Sequence, residues 1–460
     1  MQQSHRQIKA LRRALRRGDA GAARLLLAHS TAVGHARLAI RRYFAARFLG
    51  AKNLDPYKSY CRDVASQMPA PALLRMARDA ASGCEPAEDI HLVASELLPS
   101  GQPLVLAYKG VLPRLATGPA LCAHDASLLG RIVMGANSWL GFNAVIRADG
   151  HFVEIGDDFH LGGMSTVHIA HDVLPTIVGH RVTVGRSAVV HACTVGNDCV
   201  IEDGVVILDG TTVEDGVLVE AGSTVFPRST LSAGWAYSGS PAKPVRELER
   251  GEIEVRARII QEAIAASFFE EIATPDIETP SGEDVFVATT ANLSGRIEAD
   301  ASSGIFFGCK LDAGHNAITI GRNTNIQDNT TIDASQSAVA IGENTTIGHN
   351  VNLKSSSIGA RALIGIGADL SVGTVVDDDV LLAAGATTTP GQHLERGWLW
   401  GGRPARPISR LDGAKRAMMS AIIEQYRAYG AEYARAQAQA SAKKGGTNGT
   451  SIIKDSHPHR

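Results

Sequence analysis

Aliphatic residues recur at every sixth position through the middle of the chain, at Val178, Val184, Val190, Val195, Ile201, Ile207, Val213, Val219, Val225 and Leu231. The positions between them are small, polar or turn-forming, as in "VVHACTVGNDCVIEDGVVILDG" over 189–210. Such a beat is the signature of a hexapeptide β-helix. Each coil has three short strands, the aliphatics point into a prism, and stacked coils bury one another's apolar layers. One step is short: Val190 to Val195 covers five positions and carries His191. The skipped residue is expected to shift the turn and aim this imidazole sideways, toward a neighbouring prism.

The beat returns at Ile341, Ile347, Leu353, Ile358, Ile364, Leu370, Val376 and Leu382. Each lies 163 positions after its counterpart in the first series, and the five-residue skip recurs between Leu353 and Ile358. The closing turns match at the same offset, "GSPAK" at 239–243 and "GRPAR" at 402–406. The β-helix is therefore duplicated in tandem. Outside it the period is helical: in "IKALRRALRRG", Ile8, Leu11 and Leu15 form one stripe with arginines opposite. The expected organisation is an α-helical region at 1–103, a first β-helix domain at 104–243 and a helix with linker at 244–283. A second β-helix domain at 284–410, a helix at 411–442 and a disordered tail at 443–460 complete it.

Composition changes this picture in a few places. At 460 residues, 44% hydrophobic and with a net charge of -2, the chain has material for several cores. The first 50 residues hold ten Arg and one Lys against a single acid, Asp19. This basic surface suits an anionic partner in principle, but docking on an acidic neighbour is the simpler expectation, and nucleic acid is not expected. The Arg/Ala-rich start is superficially like a transit peptide, yet the helical pattern runs on past residue 50. No stretch approaches the roughly 18 apolar residues of a membrane span. Cys61, Cys84, Cys122, Cys193, Cys199 and Cys309 form no CxxC pair, and Cys193 and Cys199 read as small core residues. A cytoplasmic location is the expectation.

The first copy, "VIRADG…STVHIAHD…IVGHRVTVGRSAVVHACTVG", resembles the γ-class carbonic anhydrases. The motifs are an RGD-like turn, NxQD followed by a His, VGH, LHGC with the same skip, and a GxPAK closing turn. This resemblance implies a mainly β fold of two tandem left-handed parallel β-helix domains with an α-helical N-terminal region and flanking helices. It also implies a zinc ion, or another divalent transition metal, held by three histidines between adjacent prisms. Carried over by position, the first copy supplies His168 and His191 but has Arg186 at the second ligand position. The second copy supplies His349 but has Asp333 and Lys354 at the other two. Together they hold one complete set. Three neutral imidazoles with an open fourth position are what catalytic zinc needs, since the metal lowers the pKa of a bound water to about 7. The hydroxide so formed would attack a small electrophile such as CO2, so the implied activity is on CO2/bicarbonate or a similar small electrophile.

The resemblance further implies catalytic roles for Arg147 and Asp149, in "RAD", and for Gln327 and Asp328, where the first copy has Gly162 and Gly163. An inter-prism structural pair is an equal reading of Arg147 and Asp149. His151, His160, His171 and His180 also cluster in the first copy; His171 is within reach of a ligand role, although a solvated loop histidine is the plainer expectation. The family's extended acidic proton-shuttle loop is absent.

Two other readings stay open. The same fold serves acyl-CoA-dependent acyltransferases, in which one of these histidines would be a general base. Alternatively, the prisms form an assembly scaffold without chemistry. Partners follow from the fold: a small-molecule substrate, and a homo-oligomer through β-helix packing or an oligomer mixed with another β-helix subunit. Only a contact of first copy with second, within or between chains, unites the three histidines.

Overall fold

A computed structural model describes residues 5–82, 89–269 and 284–444. The expected tail from 445 on, residues 270–283 of the helix-and-linker segment and Cys84 lie outside the described residues. Six helices open the chain: α1 (His5–Leu15), α2 (Ala20–Ala32), α3 (Ala36–Phe48), α4 (Asp55–Ala65), α5 (Ala70–Ala81) and α6 (Ile90–Ser95). They share a core built on Leu27, Ile40, Tyr43, Phe44, Leu73 and Val93, which continues into the first prism through Leu121 and Trp139. Buried Arg42 donates from Nη1 to the Leu26 carbonyl at 2.8 Å. The cations of α1, Arg6, Lys9, Arg12 and Arg13, are exposed, and among the described residues they form no ion pair. Docking of that face on an acidic neighbour is thus not observed.

Each hexad adds one short strand to a parallel ladder. In the first prism one face stacks Thr166–His168, Val189–His191, Val206–Ile207 and Thr224–Val225. A second face stacks Thr176–Val178, Thr194–Val195 and Thr212–Val213, and a third Thr183–Val184, Val200–Ile201 and Leu218–Val219. The second prism repeats the plan with Thr331–Asp333, Asn352–Lys354 and Asp369–Leu370 as the counterpart of the first face. Every hexad aliphatic named above is at most 3% exposed, so the period reports the inward position throughout. Both prisms end in an antiparallel hairpin, Trp235–Gly239 with Ala242–Glu247 and Trp398–Gly402 with Ala405–Arg410. Because residues 242–247 turn back as a strand, the helix that follows is α7 (Glu252–Ser267), which begins later than 244. It covers the third face, with Ile260 and Ile264 against Val200, Leu218 and Ala236.

The two prisms lie side by side within one chain. Val189, Val206 and Leu208 of the first meet Ile366 and Ala384 of the second. Polar contacts fix the register: Asn329 Nδ2 donates to Thr166 Oγ1 at 3.0 Å, and Thr166 Oγ1 donates to Asn350 Oδ1 at 2.7 Å. Arg403 Nη2 donates to Thr224 Oγ1 at 2.8 Å. The approach is close enough that a Cβ on Gly367 (φ +66°) would stand 2.4 Å from Val206 Cγ2. The last helix, α8 (Gly413–Lys444), runs along the second prism. Its Tyr426, Tyr429 and Tyr433, spaced to share one face, are buried among Phe286, Phe306, Phe307 and Tyr108. No helix of the described residues is long and apolar enough to cross a membrane.

Candidate metal centre

The short step does more than tilt a turn. It ends a three-residue strand at His191, with Ala192 in the left-handed region (φ +47°). That strand is in register with the one below it, so His191 pairs with His168 on the next coil. The two imidazoles thus stack at one rim of the prism. In the second prism His349 sits in the turn after Thr346–Ile347, at the corner that abuts this rim. His168, His191 and His349 each offer a ring nitrogen, and the three atoms lie within 4.8 Å of one another. All three are buried, at 2%, 9% and 1% exposure.

Carboxylates hold the rings from behind. His168 Nε2 lies 3.0 Å from Asp149 Oδ1, and His191 Nδ1 lies 2.6 Å from Asp209 Oδ1. Ionised carboxylates only accept, so these two nitrogens carry the imidazole protons. The remaining nitrogens, His168 Nδ1 and His191 Nε2, then face each other at 3.3 Å, lone pair to lone pair. Only a proton or a metal ion between them satisfies both. Burial, then Arg147 and the neighbouring imidazoles, hold the His168 pKa well below its ordinary value, which disfavours the proton. His349 is pushed down to about 4, chiefly by burial. Its Nδ1 lies 3.2 Å from Asp328 Oδ2 but out of line, and has no hydrogen-bond partner. A buried set of neutral imidazoles with an orphaned nitrogen and carboxylate backing fits a zinc-type ion.

Arg147 binds this centre together. It is fully buried, 3.1 Å from Asp149 Oδ2 and 3.0 Å from Asp328 Oδ2. The Phe306 and Tyr426 rings lie 5.1 Å from its guanidinium carbon. Burial opposes its charge, but the two carboxylates outweigh burial and keep it protonated. They respond differently. Burial dominates at Asp149 and raises its pKa. At Asp328, burial is outweighed by Arg147 and His349, and the pKa falls. Asp328 also accepts from the Phe307 amide at 3.1 Å.

Of the residues expected from sequence, Arg147, Asp149, His168, His191, Asp328 and His349 come together. Gln327 is buried, but its amide nitrogen donates to Asn325 Oδ1 at 3.1 Å rather than toward the histidines. The other histidines stand outside the cluster. His171 Nδ1 meets Tyr429 OH at 2.5 Å, His180 lies beside Asp157 on the surface, and His160 packs edge-on to Trp139. His151 Nδ1 accepts from the Phe152 amide. The five described cysteines are buried and unpaired, and none of them joins the three histidines in the ligand cluster.

Sequence reasoning missed Asp209, Tyr426 and Tyr433. Tyr426 OH accepts from Arg147 Nη2 at 2.8 Å and meets His349 Nε2 at 3.0 Å; Tyr433 OH donates to Asp149 Oδ2 at 3.3 Å. A signal for Asp209 did exist, since it falls one coil beyond His191. The copies correspond with an offset of 165 before the loop after His168 and 163 beyond it. Arg147, Asp149, His168, His191 and Asp209 thus match Asp312, Gly314, Asp333, Lys354 and Val372. Conversely, Gln327, Asp328 and His349 match Gly162, Gly163 and Arg186. Each copy has kept only the side that faces the other. Lys354 and Asp333 are half-exposed and Arg186 is exposed, in keeping with positions released from a site.

Comparison with known proteins agrees with this architecture. Residues 192–227 match the family model "Bacterial transferase hexapeptide (six repeats)", and 356–390 match "Hexapeptide repeat of succinyl-transferase". A carbonic anhydrase of Geobacillus kaustophilus is 32% identical over 161 residues, 35% of this chain and 87% of its own length. Protein YrdA of Escherichia coli is 34% identical over 152 residues, 32% of this chain and 82% of its own. Gamma carbonic anhydrase 2, mitochondrial, of Arabidopsis thaliana is 32% identical over 151 residues, 31% of this chain; the chain spans 54% of that relative's length. A solved hexapeptide transferase family protein from Anaplasma phagocytophilum aligns over 36% of this chain and 96% of its own, at 28% identity and a TM-score of 0.33, too low to bear on function. Coils and matches alike define a hexapeptide-repeat β-helix protein. Within that class the chain belongs to the γ-carbonic-anhydrase-like family, with the β-helix duplicated in tandem.

Proposed function

We propose that this chain is a metal-dependent enzyme of the carbonic-anhydrase kind, with one site shared between its two β-helices. It acts on CO2, bicarbonate or a similarly small electrophile. The observation that carries this reading is the convergence of His168 and His191 from one copy with His349 from the other. These three would hold zinc or a related divalent ion. Such an ion, when bound, supplies Lewis acidity that makes water acidic near neutral pH. The remaining work belongs to the chain. Asp149 sets the tautomer of His168, and Arg147 keeps Asp149 and Asp328 in place. The tyrosines of α8 exclude bulk water and strengthen these charges by lowering the local dielectric. Because both prisms belong to one chain, the site needs no second copy.

Burial favours this reading over acyl transfer. A general-base histidine must meet a bulky acyl-CoA thioester, and His168 and His349 are only 2% and 1% exposed. Elemental analysis of protein purified without chelator or affinity-tag histidines tests the proposal. About one zinc per chain is expected, lost in His349→Ala, with CO2 hydration as the companion assay. No zinc, or zinc indifferent to His349, overturns it.

A further inference from the structure

Two of the carboxylates around the centre, Asp149 and Asp328, are buried and neutralised by Arg147. Asp209 differs from both. It follows the strand Val206–Ile207, one coil beyond His191, and its side chain is 46% exposed. Among the described residues no Lys or Arg is paired with it, and its side-chain partner is His191 Nδ1, 2.6 Å from its Oδ1. A half-exposed carboxylate accepts and does not donate. The proton between them therefore belongs to His191 Nδ1, and Nε2 keeps the lone pair that points at His168. Without an acceptor at 209, nothing else described holds His191 in that tautomer. The second copy carries the same association in reverse: where His191 becomes Lys354, Asp209 becomes Val372.

We infer that Asp209 is a positioning residue of the metal centre, fixing the tautomer and ring orientation through which His191 presents Nε2 to the ion. This rests on the shared metal site proposed above. Asp209 is also the one carboxylate of the centre that can be replaced without opening a buried ion pair, so its effect on metal can be read apart from folding.

Zinc affinity measured by competition with a chromophoric chelator, on wild type, Asp209→Ala, Asp209→Asn and His349→Ala, tests this. Removing such a partner typically weakens metal binding roughly ten- to a hundredfold, and that loss is expected for Asp209→Ala with an unchanged melting temperature of the metal-free protein. Asn keeps an acceptor oxygen, so Asp209→Asn should recover most of the affinity. In the Co2+-loaded Ala variant the visible d–d bands should shift, because His191 is no longer held to one nitrogen. If Asp209→Ala binds zinc within about twofold of wild type while His349→Ala does not bind, the inference falls and the shared site stands. Asn no better than Ala overturns the acceptor role. A wild type that binds no zinc overturns both.

Discussion

Replacing Arg147 by Met isolates the strongest electrostatic element of the fold. The side chain is wholly buried between Asp149 at 3.1 Å and Asp328 at 3.0 Å. At an effective dielectric of about 20, each pair attracts with on the order of 5 kcal/mol. Most of that offsets the cost of taking three charges out of water, so it is not net stability. Removal of one partner is the revealing change, because it strands charge: breaking a buried pair costs roughly 3–5 kcal/mol. With about 2–4 °C of melting temperature per kcal/mol for a unit of this size, the apparent midpoint should fall by on the order of 10 °C at pH 7. The penalty has a pH signature. Without Arg147, Asp328 loses the partner that lowers its pKa, so protonation relieves the strain and the deficit should shrink as the pH falls through the carboxylate range. Adding Asp149→Asn and Asp328→Asn to Arg147→Met should likewise recover part of it. Tryptophan fluorescence melts at pH 7 and pH 5 are the assay. A midpoint within about 2 °C of wild type at pH 7, or a deficit that grows on acidification, would refute the reasoning.

Other outcomes follow from the same geometry. His349 titrates near 4 in the fold against 6.5 when free, and His168 is also lowered; the unfolded chain therefore binds more protons between these values. Their contribution to stability is intact above pH 6.5 and lost as the pH falls toward 4, at up to about 1.4 kcal/mol per pH unit for each imidazole, partly offset by the raised Asp149. Denaturant midpoints of the metal-free protein from pH 7 to 4 measure it, and a flat profile counts against burial as the cause. Gly367→Ala drives a Cβ into Val206 at a left-handed backbone position, and is expected to cost about 1–3 kcal/mol and to weaken zinc retention while the far-ultraviolet spectrum stays β-helical. Unchanged zinc content there would show that the inter-prism contact does not support the centre. The zinc stoichiometry with His349→Ala and the Asp209 series complete the set.

The coil pattern shows what was legible beforehand. Every hexad aliphatic is buried, because a period of six directly reports which residue of each short strand points inward. The skip at His191 was legible too, since one missing residue must move a turn. Asp209 and the tyrosines of α8 were not read. Tyr426 lies 279 positions from Arg147 and 77 from His349, and its spacing along a helix gives no hint of which surface it will meet.

By itself, then, the sequence determined the repeat, its duplication, and the division of three histidines between two copies, because inward and outward positions are local properties of each coil. Only the tertiary structure decided that the first prism lays its Val189–Val206 face on the Gly367 corner of the second within one chain. That choice depends on the fit of two surfaces, with Gly367 leaving room for Val206 and Thr166 meeting Asn329 and Asn350. It turns two incomplete copies into one closed cluster of His168, His191 and His349.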